Sequence, residues 1–241
     1  MKRFYKAVSI APQGNGWQVM LDNRPLKTVS GRAQVVPTQA LAQALAAEWD
    51  GQGAEIDPAR FMLRDMADHA LDVVAPDRAT AIATLLRYAE TDTLCYRAEA
   101  GEALHQRQLD VWEPLLTAAE TRWDVRFERI GGVIHRPQPA ATLNRLQAVL
   151  EAEDHFALAA LTTLTSLAAS LVIGWAALHP GADAESLWAA ANLEEDWQVE
   201  LWGQDYEAAA QRQRRFTIFS AAMGFAQAAK DQAGHNQQSR P

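Results

Sequence analysis

The sequence predicts an α+β protein, with a small β-rich N-terminal domain followed by a larger all-α helical domain. Apolar and polar residues alternate near the N-terminus, whereas apolar residues recur every three or four positions in the rest of the chain. A cluster of Gly and Pro residues at 51–58 separates the two patterns. We therefore expect domains at residues 1–58 and 59–230, and a disordered tail at 231–241.

The N-terminal domain is predicted to combine short strands with one helix. Apolar and polar residues alternate over 17–21, as in a half-buried strand, and residues 22–25 supply turn chemistry. Residues 34–36 form a second short extended piece. Thr38 is an N-cap type residue for a helix that continues to Trp49.

The second domain is predicted to be helical throughout, because its apolar residues keep helical spacing between breaks at Gly and Pro. The predicted helices cover about 62–73, 76–89, 104–123, 140–152, 154–178, 183–201 and 204–229.

Acidic charge is concentrated in the predicted helical domain. Residues 1–58 carry six basic and five acidic groups, whereas residues 59–241 carry sixteen and twenty-five, giving the whole chain a net charge of −8. Nucleic-acid binding depends on clustered Lys and Arg, so this balance argues against nucleic acid as a partner. Hydrophobic residues form 49% of the sequence, which favours a folded protein over a disordered one.

One uncharged segment, residues 156–178, is long enough to cross a bilayer. It is rich in Ala, Ser and Thr and has no Lys or Arg anchor on either side, so we expect a buried bundle helix rather than a membrane span. The N-terminus shows neither an apolar signal segment nor an Arg- and Ser-rich transit peptide. We therefore expect a cytoplasmic protein.

The sequence has no Gly-rich phosphate loop, no nucleophile elbow and no paired-Cys metal site. Asp65, His69 and Asp72 share one face of a predicted helix, and a solvated helix face explains them better than a metal site. The single cysteine, Cys95, is typical of a small buried hydrophobe and has no second cysteine for an internal disulfide. We therefore expect no enzyme activity, no cofactor and no metal.

The main site hypothesis comes from a long segment of one-signed charge. Residues 146–211 contain eleven Asp and Glu residues and no Lys or Arg. If 184–202 form one helix, Trp188, Glu195 and Trp202 lie seven residues apart on nearly one line. A carboxylate in such a stripe is stabilised by an internal Arg or by a partner's cation. A third interpretation makes Glu195 the acid or base of a small-molecule enzyme in an interdomain cleft.

Three further places combine charge with aromatic or turn residues. Arg24 and Lys27 belong to a basic turn that is either a plain hairpin connection or a loop that meets acidic groups of a partner. Trp49 lies between two carboxylates at a helix end and is expected to dock between the two domains through its apolar body. Asp92 and Arg97 are predicted to pair across a turn, in a buried structural network rather than in direct partner contact.

Five segments match a known protein family, in the family's order and over about residues 3–210. They are Arg3-Phe4-Tyr5-Lys6, Leu21-Asp22-Asn23-Arg24-Pro25-Leu26-Lys27-Thr28, Glu48-Trp49-Asp50 with Gln52, Thr91-Asp92 with Leu94-Cys95-Tyr96-Arg97, and Leu193-Glu194-Glu195 with Gln198 and Trp202-Gly203. On these segments the chain resembles the assembly chaperones of the F-type ATP synthase that act on the alpha subunit of its soluble catalytic head (the ATP-twelve family). It departs from that family at Asn23, Val29 and residues 61–64, where Gly, Pro and Met-Pro-Leu-Thr are usual.

The resemblance implies a molecular chaperone that does not hydrolyse nucleotides. Such a protein would bind the free alpha subunit, cover the surface that beta subunits later occupy, and prevent aggregation until the subunits pair. Glu194 and Glu195 correspond to the family's functionally sensitive carboxylate region. With the charge pattern, this predicts partner contacts at Glu194, Glu195, Gln198, Trp202, Arg24 and Lys27.

Overall fold

A computed structural model describes residues 1–132 and 136–230. The strands are β1 (Val8–Gln13), β2 (Gly16–Leu21), β3 (Arg24–Pro25), β4 (Val35–Val36), β5 (Tyr96–Arg97) and β6 (Ile130–Gly131). The α-helices are α1 (Gln39–Asp50), α2 (Met62–His69), α3 (Arg78–Glu90), α4 (Ala103–Trp123), α5 (Ala140–Ala152), α6 (His155–Ala168), α7 (Leu171–Ala176), α8 (Ala184–Ala191), α9 (Leu193–Trp202) and α10 (Tyr206–Lys230). Four strands near the N-terminus and a mostly helical remainder confirm the predicted α+β class. The expectation of helices throughout the second part is wrong at β5 and β6, which pair in parallel.

The N-terminal sheet is built around β2, which pairs antiparallel with β1, β3 and β4. Helix α1 packs against β1 and β2. The alternation predicted for residues 17–21 is present in part: Val19 and Leu21 are buried in the core together with Leu41 and Leu45 of α1, but the polar Gln18 between them is buried as well. One apolar face of the sheet and one apolar stripe of the helix therefore cover each other.

Helix α1 begins where the sequence predicts. The Thr38 hydroxyl oxygen accepts a hydrogen bond from the backbone N–H of Leu41 at 3.0 Å. The same hydroxyl donates to the carbonyl oxygen of Ala228 near the end of α10, at 2.5 Å. One capping residue thus starts α1 and also fixes the end of a helix that is distant in sequence.

The predicted single helix over 154–178 is wrong, because the chain breaks between α6 and α7. Ala169 adopts a left-handed backbone conformation with φ of 49°. Ser170 then starts α7, and its hydroxyl oxygen accepts the N–H of Ile173 at 3.1 Å. Serine competes well for such backbone donors at a helix start, so the uncharged segment divides into two short helices.

The predicted single helix over 183–201 is also wrong, because Asn192 separates α8 from α9. Asn192 has φ of −112° and ψ of 21°, outside the helical region. Its side-chain amide donates to the carbonyl oxygen of Trp188 at 2.7 Å, which satisfies a carbonyl at the end of α8. A third predicted helix, 62–73, consists of α2 followed by a π-helical turn over Ala70–Val74.

The described residues form two compact units. One contains residues 1–78, 155–160 and 224–230, and the other contains 79–132, 136–154 and 161–223. The predicted boundary at residue 58 stays a prediction, and the predicted tail at 231–241 lies outside the described residues. Within the described ranges, every helix is too short or too polar to traverse a bilayer.

Trp49 lies in the last turn of α1, within the first unit. Its indole is 6% exposed, and its ring centroid lies 4.5 Å from that of Phe61 and 5.6 Å from that of Tyr5. The Tyr5 hydroxyl donates to the carbonyl oxygen of Trp49 at 2.6 Å. These three residues belong to one unit, and a role of Trp49 between the two predicted domains stays a prediction.

Replacing Trp49 by alanine should lower the free energy of unfolding by about 3–5 kcal/mol, because it removes a buried aromatic ring and leaves a cavity. The matched control is the same substitution at Trp202, which is 77% exposed and should change stability little. Denaturant unfolding followed by circular dichroism measures both variants. Equal losses, or no loss for the Trp49 variant, would contradict the packing described above.

Replacing Gly174 by alanine should lower the free energy of unfolding by about 1–3 kcal/mol. A Cβ at this position would overlap the side-chain oxygen of the buried Thr165 and lie 3.1 Å from its backbone nitrogen. Gly224 in α10 is the matched control, since a Cβ there meets nothing within 4 Å. Alanine at Gly224 should stabilise the helix by up to about 1 kcal/mol. A stabilised Gly174 variant would mean that α6 and α7 can move apart at no cost.

Candidate partner-binding surface

Helix α9 carries most of the predicted site residues and presents them to solvent. Leu193 at its start is buried, whereas Glu194 and Gln198 are exposed and Glu195 is half-buried. Glu195 and Trp202 are seven residues apart within this one helix and therefore share a stripe on its surface. Glu194 and Gln198 lie on the neighbouring stripe, so the structure brings the four predicted residues of this region onto one side of α9.

Two arginines from other helices hold α9 in place. Arg107 of α4 donates both guanidinium nitrogens to the carboxylate of Glu200, at 2.6 and 2.8 Å. Arg212 of α10 forms a second bidentate pair with Asp196. These pairs use the fork geometry of arginine, and they neutralise two of the carboxylates of α9.

A buried amide fixes a third carboxylate. Gln108 of α4 is fully buried, and its Nε2 donates to the Glu194 carboxylate at 2.7 Å. Its Oε1 accepts the backbone N–H of Ala98 at 2.8 Å, and its backbone carbonyl accepts from Arg97 at 3.0 Å. Arg97 and Glu194, both predicted site residues, are thus joined through a residue that sequence reasoning missed. The available signal was a polar residue four positions before Trp112, on the buried stripe of α4.

Glu195 is the carboxylate of α9 that keeps no internal partner. It makes no hydrogen bond or ion pair with any residue in 1–132 or 136–230. Its charge contributes to a raised pKa of Arg212, after the larger effect of the hydrogen bond to Asp196. One of the two main interpretations of Glu195 is a direct pair with an internal arginine. The described residues show no such pair.

Trp188 does not extend the stripe of Glu195, contrary to the prediction. It lies on α8, is buried, and packs against Phe219 of α10 with ring centroids 5.3 Å apart. Arg215 lies over its ring at 5.5 Å. The break at Asn192 is the physical reason, because it ends the helical register between Trp188 and Glu195.

Three large apolar side chains stand exposed where α9 meets α10, and we call Leu201, Trp202 and Tyr206 the apolar tip. They are 55%, 77% and 88% exposed, respectively. Gly203 ends α9 with φ of 89°, a conformation that favours glycine, and its N–H bonds to the carbonyl of Val199 at 2.9 Å.

Arg24 and Lys27 lie at a separate place, in the first unit. Both side chains are exposed, and neither has a hydrogen bond or ion pair within the described residues. The neighbouring Asp22 carboxylate accepts the N–H groups of Lys6 and Ala7, which hold its pKa below the usual range. It is therefore directed to the backbone rather than to Arg24.

The loop after Lys27 is anchored by two aspartates of the α2 region. Asp72 accepts from the hydroxyls of Thr28 and Ser30, at 2.9 and 2.5 Å, and Asp68 accepts from Gln34 at 2.6 Å. The predicted solvated face of Asp65, His69 and Asp72 is therefore wrong for Asp72, which binds this loop. Among the described residues, no cluster of His, Cys, Asp or Glu is placed to hold a metal ion.

Asp92 and Arg97 do not pair with each other, which corrects the prediction, although both belong to buried networks. Asp92 is fully buried and accepts the N–H groups of Leu94 and Val172, at 3.1 and 3.0 Å. Arg97 instead donates to Glu113 at 3.1 Å, in addition to Gln108. Each side chain found a tertiary partner that sequence proximity could not indicate.

The chain is similar in sequence and structure to several known proteins. The family model for the ATP12 chaperone protein matches residues 2–120. The mitochondrial atp12 protein of Schizosaccharomyces pombe is 25% identical over 214 residues, covering 84% of this chain and 74% of its own length. The crystal structure of Atp12 from Paracoccus denitrificans is 37% identical with a TM-score of 0.90, covering 95% of this chain and 98% of its own. A mutant of that protein with lysine in place of an aspartate matches equally well. The Atu1473 protein of Agrobacterium tumefaciens is also 37% identical, with a TM-score of 0.91 and coverage of 95% and 86%.

Asp92 should make stability depend on pH. Burial raises its pKa from the ordinary value of 3.8 to about 6, against the lowering effect of its N–H donors. Because the pKa of Asp92 is higher in the folded than in the unfolded chain, its protonated form stabilises the fold. This contribution is complete below the pKa of the unfolded chain and is lost as pH rises through about 6. Because Asp92→Asn removes this titration, the stability difference between native protein and variant should be about 1–1.5 kcal/mol larger at pH 5 than at pH 7.5.

Paired urea titrations at the two pH values measure this difference, and the contributions of all other carboxylates cancel between the proteins. Asp92→Asn should be less stable at both pH values, because an amide satisfies fewer of the N–H donors. A difference that is independent of pH would show that Asp92 titrates alike in the folded and unfolded chains.

Proposed function

Because the chain belongs to the ATP12 family of ATP synthase assembly chaperones, we propose that it binds the free alpha subunit of the F-type ATP synthase. In this proposal it prevents aggregation of the alpha subunit until beta subunits pair with it. An unpaired subunit exposes apolar surface that is normally covered in the assembly, and such surface associates unless another protein covers it.

The observation that carries the proposal is the state of Glu195. This carboxylate is half-buried, lies on the same stripe of α9 as the exposed Trp202, and forms no direct pair with an internal cation among the described residues. A partly desolvated charge of this kind is stabilised when a partner supplies a cation or hydrogen-bond donors. Asp196 and Glu200 already have their arginines, so in this proposal Glu195 is the carboxylate of α9 that contacts the client.

Arg24 and Lys27 support a second contact of opposite sign. Their loop is held by Asp68 and Asp72, so its position is defined while the two basic side chains stay free. In the proposal they meet acidic groups of the same client. A client that contacts both the acidic and the basic residues must carry complementary charges at both places. A wrong partner would meet like charges, so the two contacts would favour this client over any protein that merely exposes apolar surface.

Catalysis, nucleic acid and membrane insertion are not part of this proposal. The alternative of a small-molecule enzyme with Glu195 as acid or base has no supporting observation in the described residues. We place the chaperone in the cytoplasm, on the basis of the bacterial relatives, while the fission yeast relative is a mitochondrial protein.

The proposal predicts that the protein suppresses aggregation of isolated alpha subunit at a stoichiometric ratio. Glu195→Gln should weaken binding of the alpha subunit by about 10- to 150-fold, since a charge-assisted hydrogen bond is worth about 1.5–3 kcal/mol. Charge reversal at Glu195 to lysine should weaken it further. Light scattering measures aggregation, and calorimetric titration measures affinity.

Glu185→Gln is the matched control, because Glu185 is an exposed carboxylate of the same acidic region but lies on α8. It should leave binding of the alpha subunit unchanged. The unfolding free energy of the Glu195→Gln variant should also be unchanged, since the carboxylate makes no internal hydrogen bond. Equal aggregation of the alpha subunit with and without the protein would overturn the proposed function. Intact protection by the Glu195 variants would remove Glu195 from the site.

A further inference from the structure

The apolar tip is the most exposed aromatic surface of the described chain. Trp202 and Tyr206 are 77% and 88% exposed, and Leu201 beside them is 55% exposed. None of the three side chains has a hydrogen bond or ring contact with another described residue. Large aromatic side chains lose the stabilisation of burial in such a position, and they are the residue types that dominate binding energy in interfaces.

The tip is presented by a defined turn rather than by a loose loop. Gly203 ends α9, and the carboxylate of Asp205 accepts the N–H groups of Glu207 and Ala208, at 2.7 and 3.1 Å, to start α10. Both aromatic residues are therefore attached to helix ends whose hydrogen bonds are satisfied. A preorganised contact surface loses less conformational entropy on binding than a flexible one.

The surroundings of the tip are acidic and lack a free cation close by. Glu195 and Glu207 form no direct ion pair among the described residues, and Glu194 is bound by the neutral amide of Gln108. On α10, the unpaired Arg214 is eight residues from Tyr206, about 12 Å along the helix axis. An apolar surface with a one-signed rim selects partners by charge.

We propose that the apolar tip binds a cationic amphipathic segment of the client, in which an apolar side chain is flanked by Arg or Lys. The apolar side chain contacts Trp202 and Tyr206, and the cation pairs with Glu195 or lies over an aromatic ring. This deepens the proposed function and rests on it for the identity of the client. A second copy of this chain is disfavoured as the occupant, because it would bring the same carboxylates against each other.

Tryptophan fluorescence reports on this site. Trp202 is the exposed indole of the described residues, Trp17 and Trp197 are half-buried, and the others are buried. At low ionic strength, cesium ion should quench the exposed fraction more strongly than iodide, because the carboxylates attract cations and repel anions. Trp202→Phe should remove most of that difference, with a smaller remainder from the half-buried Trp197 of the same helix.

The binding probes are two synthetic amphipathic peptides without Trp or Tyr, with the same apolar residues and either Arg or Glu at the polar positions. The Arg peptide should protect Trp202 from acrylamide quenching, and the Glu peptide should not. Glu195→Gln should reduce the preference for the Arg peptide. Equal protection by the two peptides would overturn the cationic part of the proposal.

Truncation of the tip tests the client contact itself. Trp202→Ala and Tyr206→Ala should each weaken binding of isolated alpha subunit by at least tenfold, with unchanged melting temperature because both side chains are exposed. The matched control is Val73→Ala, since Val73 is an exposed apolar residue (55%) that lies in the other unit and outside the loop of Arg24 and Lys27. This control should change affinity less than twofold.

The outcomes separate this inference from the proposed function. If the alpha subunit is bound and both tip variants keep native affinity, the tip is not the contact and the inference fails while the function stands. If the alpha subunit is not bound but the Arg peptide protects Trp202, the proposed function fails while the cationic preference of the tip stands.

Discussion

The proposed partner-binding surface depends on one buried amide. Gln108 accepts from Ala98 and donates to Glu194 through its side chain, while its backbone carbonyl accepts from Arg97. An unsatisfied buried polar group costs about 1–3 kcal/mol, so the amide, the strand end at Ala98 and the start of α9 are stable only together. The hydrogen bond to Glu194 attaches the first turn of α9 to α4 and so helps to define which of its side chains face outward.

The carboxylates of α9 divide by what stabilises each of them. Asp196 and Glu200 have bidentate arginines from α10 and α4, which attach the helix at two points. Glu194 has the amide of Gln108, and Glu195 has no direct partner. Each exposed ion pair contributes little stability alone. The two ion pairs and the bond from Gln108 together define the orientation of α9. The charge that remains free is therefore held in a fixed position, as recognition requires.

Local elements were predictable from the sequence, and helix breaks were not. Thr38 and the apolar spacing after it predicted α1, and residues 140–152 match α5. The break before α7 depends on the Asp92 carboxylate, which accepts the N–H of Val172 from eighty positions away. Likewise, the indole of Trp112 donates to the carbonyl of Ala190 at 2.7 Å, beside the break at Asn192. Contacts this distant in sequence leave no trace in local periodicity, and for the same reason the predicted pairing of Asp92 with Arg97 failed.

The break at Asn192 also decides what the site can do. In one continuous helix, Trp188 and Trp202 would share a line, and burial of one would draw the other toward the core. Ending α8 at Ala191 lets Trp188 pack against Phe219, while α9 starts a new register with Glu195 and Trp202 on its open side. The aromatic residue before the break is thus a buried anchor, whereas the acidic and aromatic residues after it form an exposed surface. A sequence pattern that suggests one amphipathic helix yields the proposed recognition surface because a single asparagine interrupts it.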